Sequence, residues 1–227
     1  MASGESAPPG GELRERLDLA DWRRRIAELY AEVRARARVD PESAWQHWRA
    51  TRDRLYREHP ESPVPVATRR AFRLQTWPYD PRLRFDVIVE PPPTQVPAPT
   101  PAGPFSTLAL PVSTGDEMGS TLVGFVRLPF ADGERRLGIY WLSGYAGGLF
   151  LPFRDLTNGR ETYPAGRYAI DAAKSADLGG DLERGSLVVD LNFAYHPSCA
   201  FDARWACPLA PPENRLDVRI EAGERLA

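Results

Sequence analysis

A chain of 227 residues with a formal net charge of −2 carries no field that would gather phosphates, so nucleic acid is excluded as a natural partner. Its 42% hydrophobic and 10% aromatic content supplies a core for one domain with appendages and excludes wholesale disorder. Lys174 is the single lysine among 29 basic residues, a skew that matches genomic coding bias and takes weight from any one arginine.

Residues 1–11 are rich in Ser, Pro and Gly and read as a disordered tail. No basic start leads into an apolar stretch, and no run approaches the roughly 20 apolar residues of a bilayer span. A cytoplasmic protein without membrane contact is expected, and its two cysteines are expected to stay thiols there. From Glu12, the three- and four-residue spacing of Leu19, Trp22, Ile26, Leu29 and Val33 predicts an amphipathic helix ending near Val39. Asp40 as N-cap, Pro41 at the first helical position and Glu42 in the first turn then start a second helix. Its apolar stripe is Ala44, Trp48, Thr51 and Leu55, and it stops at His59, where Pro60 disfavours helical backbone. Residues 12–60 are thus expected to form a helical hairpin packed on the core.

Beyond Pro65 the period changes to two. Alternation in Arg82–Glu90, Arg135–Leu142 and Asn214–Ala222 predicts half-buried strands. Phe72–Trp77, Phe105–Pro111, Thr121–Leu128, Leu149–Phe153, Arg167–Ile170 and Leu187–Phe193 are further strand candidates, with Asp132-Gly133 and Asn158-Gly159 as turn signals. Residues 90–104 form a proline-rich connector, read as a surface loop. The fold expected for residues 61–227 is mainly β, an antiparallel barrel or sandwich of about nine short strands with no intervening helix.

The densest chemistry lies in Asn192–Leu216, which holds His196, Cys199 and Cys207. Seven residues separate the two cysteines, unlike the short pairing of structural zinc sites, so no metal is expected. Buried thiols or a loop-closing contact fit better. No nucleophile elbow, phosphate loop, dinucleotide fingerprint or paired-carboxylate pattern occurs, and no cofactor is expected. The catalytic candidates are Asp190, His196 and Cys199, in a dyad of Cys199 and His196 with Asp190 as orienter. On the strand Leu187–Phe193, Asp190 and Asn192 share the face opposite Leu187 and Val189, and there they are either solvated or pointed into a barrel cavity as ligand groups. Arg154, Asp155, Glu161 and Arg167 either form an ion-pair network or bind an anion through paired donors.

The phrases "PFRDLTNGRETYPAGRY", "LVVDLNFAYHPSCAFDARWACPLAPPENRLDVRIEAGE" and "FRLQTWPYDPRLRF" resemble the bacterial and archaeal family called domain of unknown function 1684. The resemblance runs from about Trp45 to Glu224 and is densest over the last third of the chain. It covers Pro152–Asp155, Thr162 and Tyr163, Gly166–Tyr168 and Tyr195–Cys199, with His196 standing where relatives commonly carry Asn. The resemblance implies no established activity, and that departure lowers His196 as an obligatory base. The reading that results is a small-ligand-binding or scaffold β domain whose site is Arg154, Asp155, Tyr163, Arg167, Asp190 and Asn192. The alternative is a small-molecule hydrolase with an acid/base site near Asp190. Nothing in the sequence sets an oligomeric state.

Overall fold

The computed structural model describes residues 9–92, 107–144, 147–181 and 183–226. Helix α1 (Pro9–Ala37) begins inside the stretch expected to be a tail, and residues 1–8 lie outside the described residues. Helix α2 (Pro41–Glu58) starts as its sequence dictates: Asp40 accepts a hydrogen bond from the Ser43 backbone N–H at 3.0 Å, with Pro41 in the first turn. The helices run antiparallel, because early residues of α1 meet late residues of α2. Asp21 contacts His59, Tyr30 accepts from Trp48 Nε1 at 3.1 Å, and Glu32 meets His47. Ile26, Leu29 and Val33 of the expected stripe are buried with Ala44, Trp48 and Leu55 of its partner.

The β region is mainly antiparallel, with nine strands among the described residues. Strands β3 (Thr107–Pro111), β4 (Glu117–Phe130), β5 (Gly133–Leu142), β6 (Gly148–Phe153) and β7 (Arg167–Asp171) form one curled five-stranded sheet in that order. Two small sheets complete it: β2 (Arg84–Ile88) with β8 (Ser186–Asp190), and β1 (Gln75–Thr76) with β9 (Glu224–Arg225). Phe130 pairs with Gly133, so the β4–β5 turn is Ala131-Asp132, one position before the expected dipeptide. Past β2, Glu90 bridges to Phe125 of β4 and joins the small sheet to the large one. Gly124 permits this, since a Cβ there would lie 2.7 Å from the Glu90 carbonyl oxygen. Most of the proline-rich connector, from residue 93 on, falls outside the described residues.

Apolar layers cover both faces of the large sheet. Tyr140, Phe150 and Tyr168 belong to the layer beneath the helices, with Trp48 and Val33. Their neighbours Ile139, Leu151 and Ala169 belong to the opposite layer, against Phe85, Val87, Val189, Leu216 and Ile220. Strand β7 is therefore buried at every position, and β5, expected to be half-buried with Leu137, Ile139 and Trp141 on one side, is buried from Leu137 to Tyr140 while Trp141 is exposed, because both faces of the sheet are covered.

Two expected strands behave otherwise. Strand β8 stops at Asp190 and gives way to a tight helical turn, Leu191–Phe193, capped by Asp190 itself. Residues 214–222 keep the expected alternation, with Leu216, Ile220 and Ala222 buried and Asp217, Arg219 and Glu221 exposed, but among the described residues they form no strand and pair only through one parallel bridge, Arg215 to Arg154. The segment is instead held by bonds to the Arg154–Leu156 turn. The Leu216 N–H donates to the Arg154 carbonyl at 2.8 Å, and the Ile220 N–H donates to Asp155 Oδ2 at 2.7 Å. A carboxylate thus takes the place of a ladder carbonyl.

Candidate functional site

The six ligand-site residues expected from the sequence fall into separate groups. Asp190 and Asn192 are fully buried and tie a neighbouring loop. Asp190 Oδ1 accepts from the Asn192 backbone N–H at 3.0 Å and from Asn192 Nδ2 at 2.8 Å, while Oδ2 faces the Tyr79 hydroxyl at 3.2 Å and Arg84 Nη1 at 3.5 Å. The Asn192 amide also accepts from the Asp80 N–H and donates to the Asp80 carbonyl, both at 2.8 Å. Burial raises the Asp190 pKa against the lowering effect of these donors. The pair is thus neither solvated nor aimed into a cavity. No serine or cysteine is among the hydrogen-bond partners of Asp190 in the described residues.

Asp155 and Arg167 form the second group. Arg167 is fully buried, and its Nη2 lies 3.5 Å from Asp155 Oδ1. The guanidinium also binds the backbone leading into β9: Nη1 reaches the Ala222 carbonyl and the Glu224 carbonyl, and Nη2 reaches the Ile220 carbonyl at 2.9 Å. Burial lowers the Arg167 pKa from its ordinary value, and Asp155 opposes that effect. Of the four charges expected to form one network, Glu161 pairs instead with Arg219 at the surface. Arg154 is joined to the same loop through its backbone, with its buried Nε lacking a partner among the described residues.

Beside this knot lies a second buried pair. Arg52 of α2 donates from Nε and Nη2 to Glu224 Oε1 at 2.9 and 2.7 Å, and its guanidinium sits over the Trp48, Tyr56 and Tyr195 rings. Glu224 Oε2 accepts from the His196 backbone N–H at 2.8 Å. The His196 ring accepts from the Tyr163 N–H at 3.3 Å, and burial, aided by Arg167 and Arg52, pushes its pKa down to about 3. A group of that basicity is neutral and a weak base near neutral pH. No hydrogen bond joins His196 to Cys199 among the described residues, so the expected dyad does not form. Cys199 lies against Cys207 instead, donating its backbone N–H to Cys207 Sγ at 3.3 Å.

An open cleft of about 330 Å³ occurs elsewhere, between the C-terminal end of α1, the β2–β8 sheet and the backbone at Leu178–Asp181 and Arg184. Arg34, Arg38, Arg84 and Arg184 line it with Asp86 and Asp181. Gly180 lets the loop lie flat on β8, since a Cβ there would come within 2.0 Å of the Ser186 carbonyl oxygen. Arg34 reaches Asp177 and Arg84 reaches Asp190, each at 3.5 Å. Arg38 and Arg184 are exposed and have no ion-pair partner among the described residues. Sequence reasoning missed this set because its members come from three distant segments. The only local signal was the i,i+4 spacing of Arg34 and Arg38 on one face of α1. Among the described residues no cluster of three or more His, Cys, Asp or Glu is placed to hold a metal, and no helix is long and apolar enough to cross a membrane.

Residues 71–225 match the model of a family described as protein of unknown function (DUF1684). The match starts after α2, later than the resemblance read from Trp45. A solved structure is also similar: the solution NMR structure of the uncharacterized protein from gene locus rrnAC0354 of Haloarcula marismortui. It is 30% identical, with a TM-score of 0.57 over 82% of this chain and 95% of that one. No curated protein matches.

Proposed function

We propose that this chain, which belongs to the DUF1684 family of proteins of unknown function, is a non-catalytic module that binds a small polar ligand carrying a carboxylate or phosphate group. The observation that carries this reading is the 330 Å³ cleft rimmed by four guanidinium groups. Its size falls in the range of small-molecule sites. A guanidinium presents a planar fork of donors that matches a carboxylate or phosphate in a bidentate way. Arg38 and Arg184 offer that fork with no internal competitor among the described residues, whereas Arg34 and Arg84 are partly engaged by Asp177 and Asp190. Asp86 and Asp181 on the same rim disfavour a purely anionic ligand and favour one that also carries an amine or hydroxyl donor.

The reading moves the ligand from the interior set Arg154, Asp155, Tyr163, Arg167, Asp190 and Asn192 to the surface beside Asp190. The interior polar groups already serve one another, and among the described residues Asp190 has no serine or cysteine hydrogen-bond partner to act with in the acid/base alternative. The test is a thermal-shift screen of the full chain with small carboxylates, phosphates and amino acids. A ligand at 100 times its Kd stabilises by about 2.7 kcal/mol, a readily measured rise in Tm. The rise is expected to weaken with salt and to vanish in the R38A/R184A double variant. A screen with no shift, or a shift unchanged in that variant, overturns the assignment.

A further inference from the structure

The Cys199 and Cys207 pair lies away from the arginine cleft, on the turn that follows Tyr195, and takes no part in the function proposed above. The chain brings the two thiols together through two independent anchors. Cys199 sits in a tight turn, Ser198–Ala200, after Pro197. Cys207 is tied to the end of β3: its carbonyl accepts from the Ser113 N–H at 2.9 Å, its N–H donates to Ser113 Oγ at 3.0 Å, and Pro208 bridges Val112. The intervening residues form a loop that includes exposed Ala203 and Arg204. The Cys199 N–H donates to Cys207 Sγ at 3.3 Å, which sets the two cysteines side by side, and Tyr163 is among the groups that act on the Cys199 thiol. Cys199 is the outer thiol, at 9% exposure, and Cys207 the inner one, at 2%.

We propose that Cys199 and Cys207 form a redox-active dithiol that is oxidised by low-molecular-weight disulfides, with Cys199 as the attacking thiol and Cys207 as the resolving one. Attack comes from a thiolate. The Cys199 thiolate attacks one sulfur of the small disulfide, a Cys199–SR bond forms, and the other half leaves as RS−, which takes up a proton. Cys207 then loses its proton to solvent and attacks Cys199 Sγ, expelling the second RS−. The net change is protein dithiol plus RSSR to protein disulfide plus two RSH, with the two electrons passing to the small disulfide.

The surroundings favour this order. Hydrogen bonding from the Cys207 thiol, with smaller contributions from Tyr163 and Ser113, lowers the Cys199 pKa to about 6 despite burial. The same contact pushes the Cys207 thiol up, so the inner thiol stays protonated while the outer one is charged. Once Cys199 is in a mixed disulfide, that charge is gone and the main cause of the rise in Cys207 goes with it. Lys174 then acts on Cys207 in the lowering direction. Of the other ionisable groups nearby, Tyr163 is raised to about 12 and stays a donor, and His196 is neutral.

The experiment uses the reduced full chain and 2-hydroxyethyl disulfide, followed by non-reducing mass spectrometry. Wild type is expected to lose two hydrogens and gain one internal 199–207 link. Cys207→Ser is expected to stop at a stable mixed disulfide on Cys199, and Cys199→Ser to stay unmodified. A low pKa raises the thiolate fraction but lowers intrinsic nucleophilicity, so Cys199 of the Cys207→Ser variant lacks its main donor and is compared with wild type. Wild-type Cys199 is expected to react roughly tenfold faster than free cysteine at pH 6 and no faster at pH 8. Tyr163→Phe removes one donor and is expected to reduce the pH 6 advantage while leaving the near-UV circular dichroism unchanged. Thiols that react only after denaturation, first modification at Cys207, or a wild-type pH profile like that of free cysteine overturns the proposal.

Discussion

Two arginine-rich regions of this molecule use the same side chain in opposite ways. In the interior, Arg167 is sealed from solvent and its terminal nitrogens are held by Asp155 and by the carbonyls of Ile220, Ala222 and Glu224. At the rim, Arg38 and Arg184 stand in solvent without an ion-pair partner among the described residues. The first region spends its donors on the chain's own backbone, because residues 216–223 belong to no strand among the described residues and their carbonyls need partners. The second leaves its donors for something outside the chain. A guanidinium is therefore informative about ligands only after its internal partners are known.

The contrast can be broken most sharply at Arg167. Arg167→Ala leaves Asp155 and three carbonyls without their buried donor and is expected to cost about 3–5 kcal/mol in urea unfolding. A loss below about 1 kcal/mol would mean that the interior knot is not what holds the C-terminal segment.

The next effect depends on pH. His196 is depressed to about 3 in the folded protein and has an ordinary value near 6.5 when unfolded. Between those values the unfolded chain binds a proton that the folded chain does not, so stability is full above about pH 6.5 and falls as the pH drops towards 3. The slope from this group is about 1.4 kcal/mol per pH unit. His196→Asn is expected to remove it, seen as a wild-type-minus-variant difference in urea midpoint that grows from pH 7 to pH 4. A difference that stays flat would show that the imidazole is not kept neutral by burial. The smallest effect belongs to the rim: Arg38→Ala and Arg184→Ala are each expected to change stability by less than about 0.5 kcal/mol, the usual range of exposed substitutions. A larger loss in either would move that arginine from the ligand-facing group to the structural one.

How legible the site was follows from the same contrast. Asp190 and Asn192 were readable as a notable polar pair, because period-two alternation set them together on a strand face. Their actual role depends on β8 ending at Asp190, where the carboxylate caps the turn after it, and a local hydrogen bond of that kind has no hydrophobic signature. Asp155 and Arg167 were readable as possible partners and do meet. The cleft was not readable, since Arg34, Arg84 and Arg184 belong to segments that only folding brings together. The proximity of Cys199 and Cys207 was open from their spacing, while the hydroxyl of Tyr163 beside them was not.

For the fold, local chemistry was enough wherever one segment carried its own instructions. The Asp40, Pro41 and Glu42 start, the apolar stripes of α1 and α2, and the alternation of β2 each determine an element from neighbouring residues alone. Asn214–Ala222 marks the limit. Its alternation correctly determined which side chains are buried, because burial follows hydrophobicity. Whether its backbone joined a ladder was decided by which donors and acceptors stood opposite it, and those are Arg154, Asp155 and Arg167, roughly 50 to 70 positions away in the chain. Pattern specifies which face is apolar; only the tertiary structure supplies the partner that satisfies the backbone.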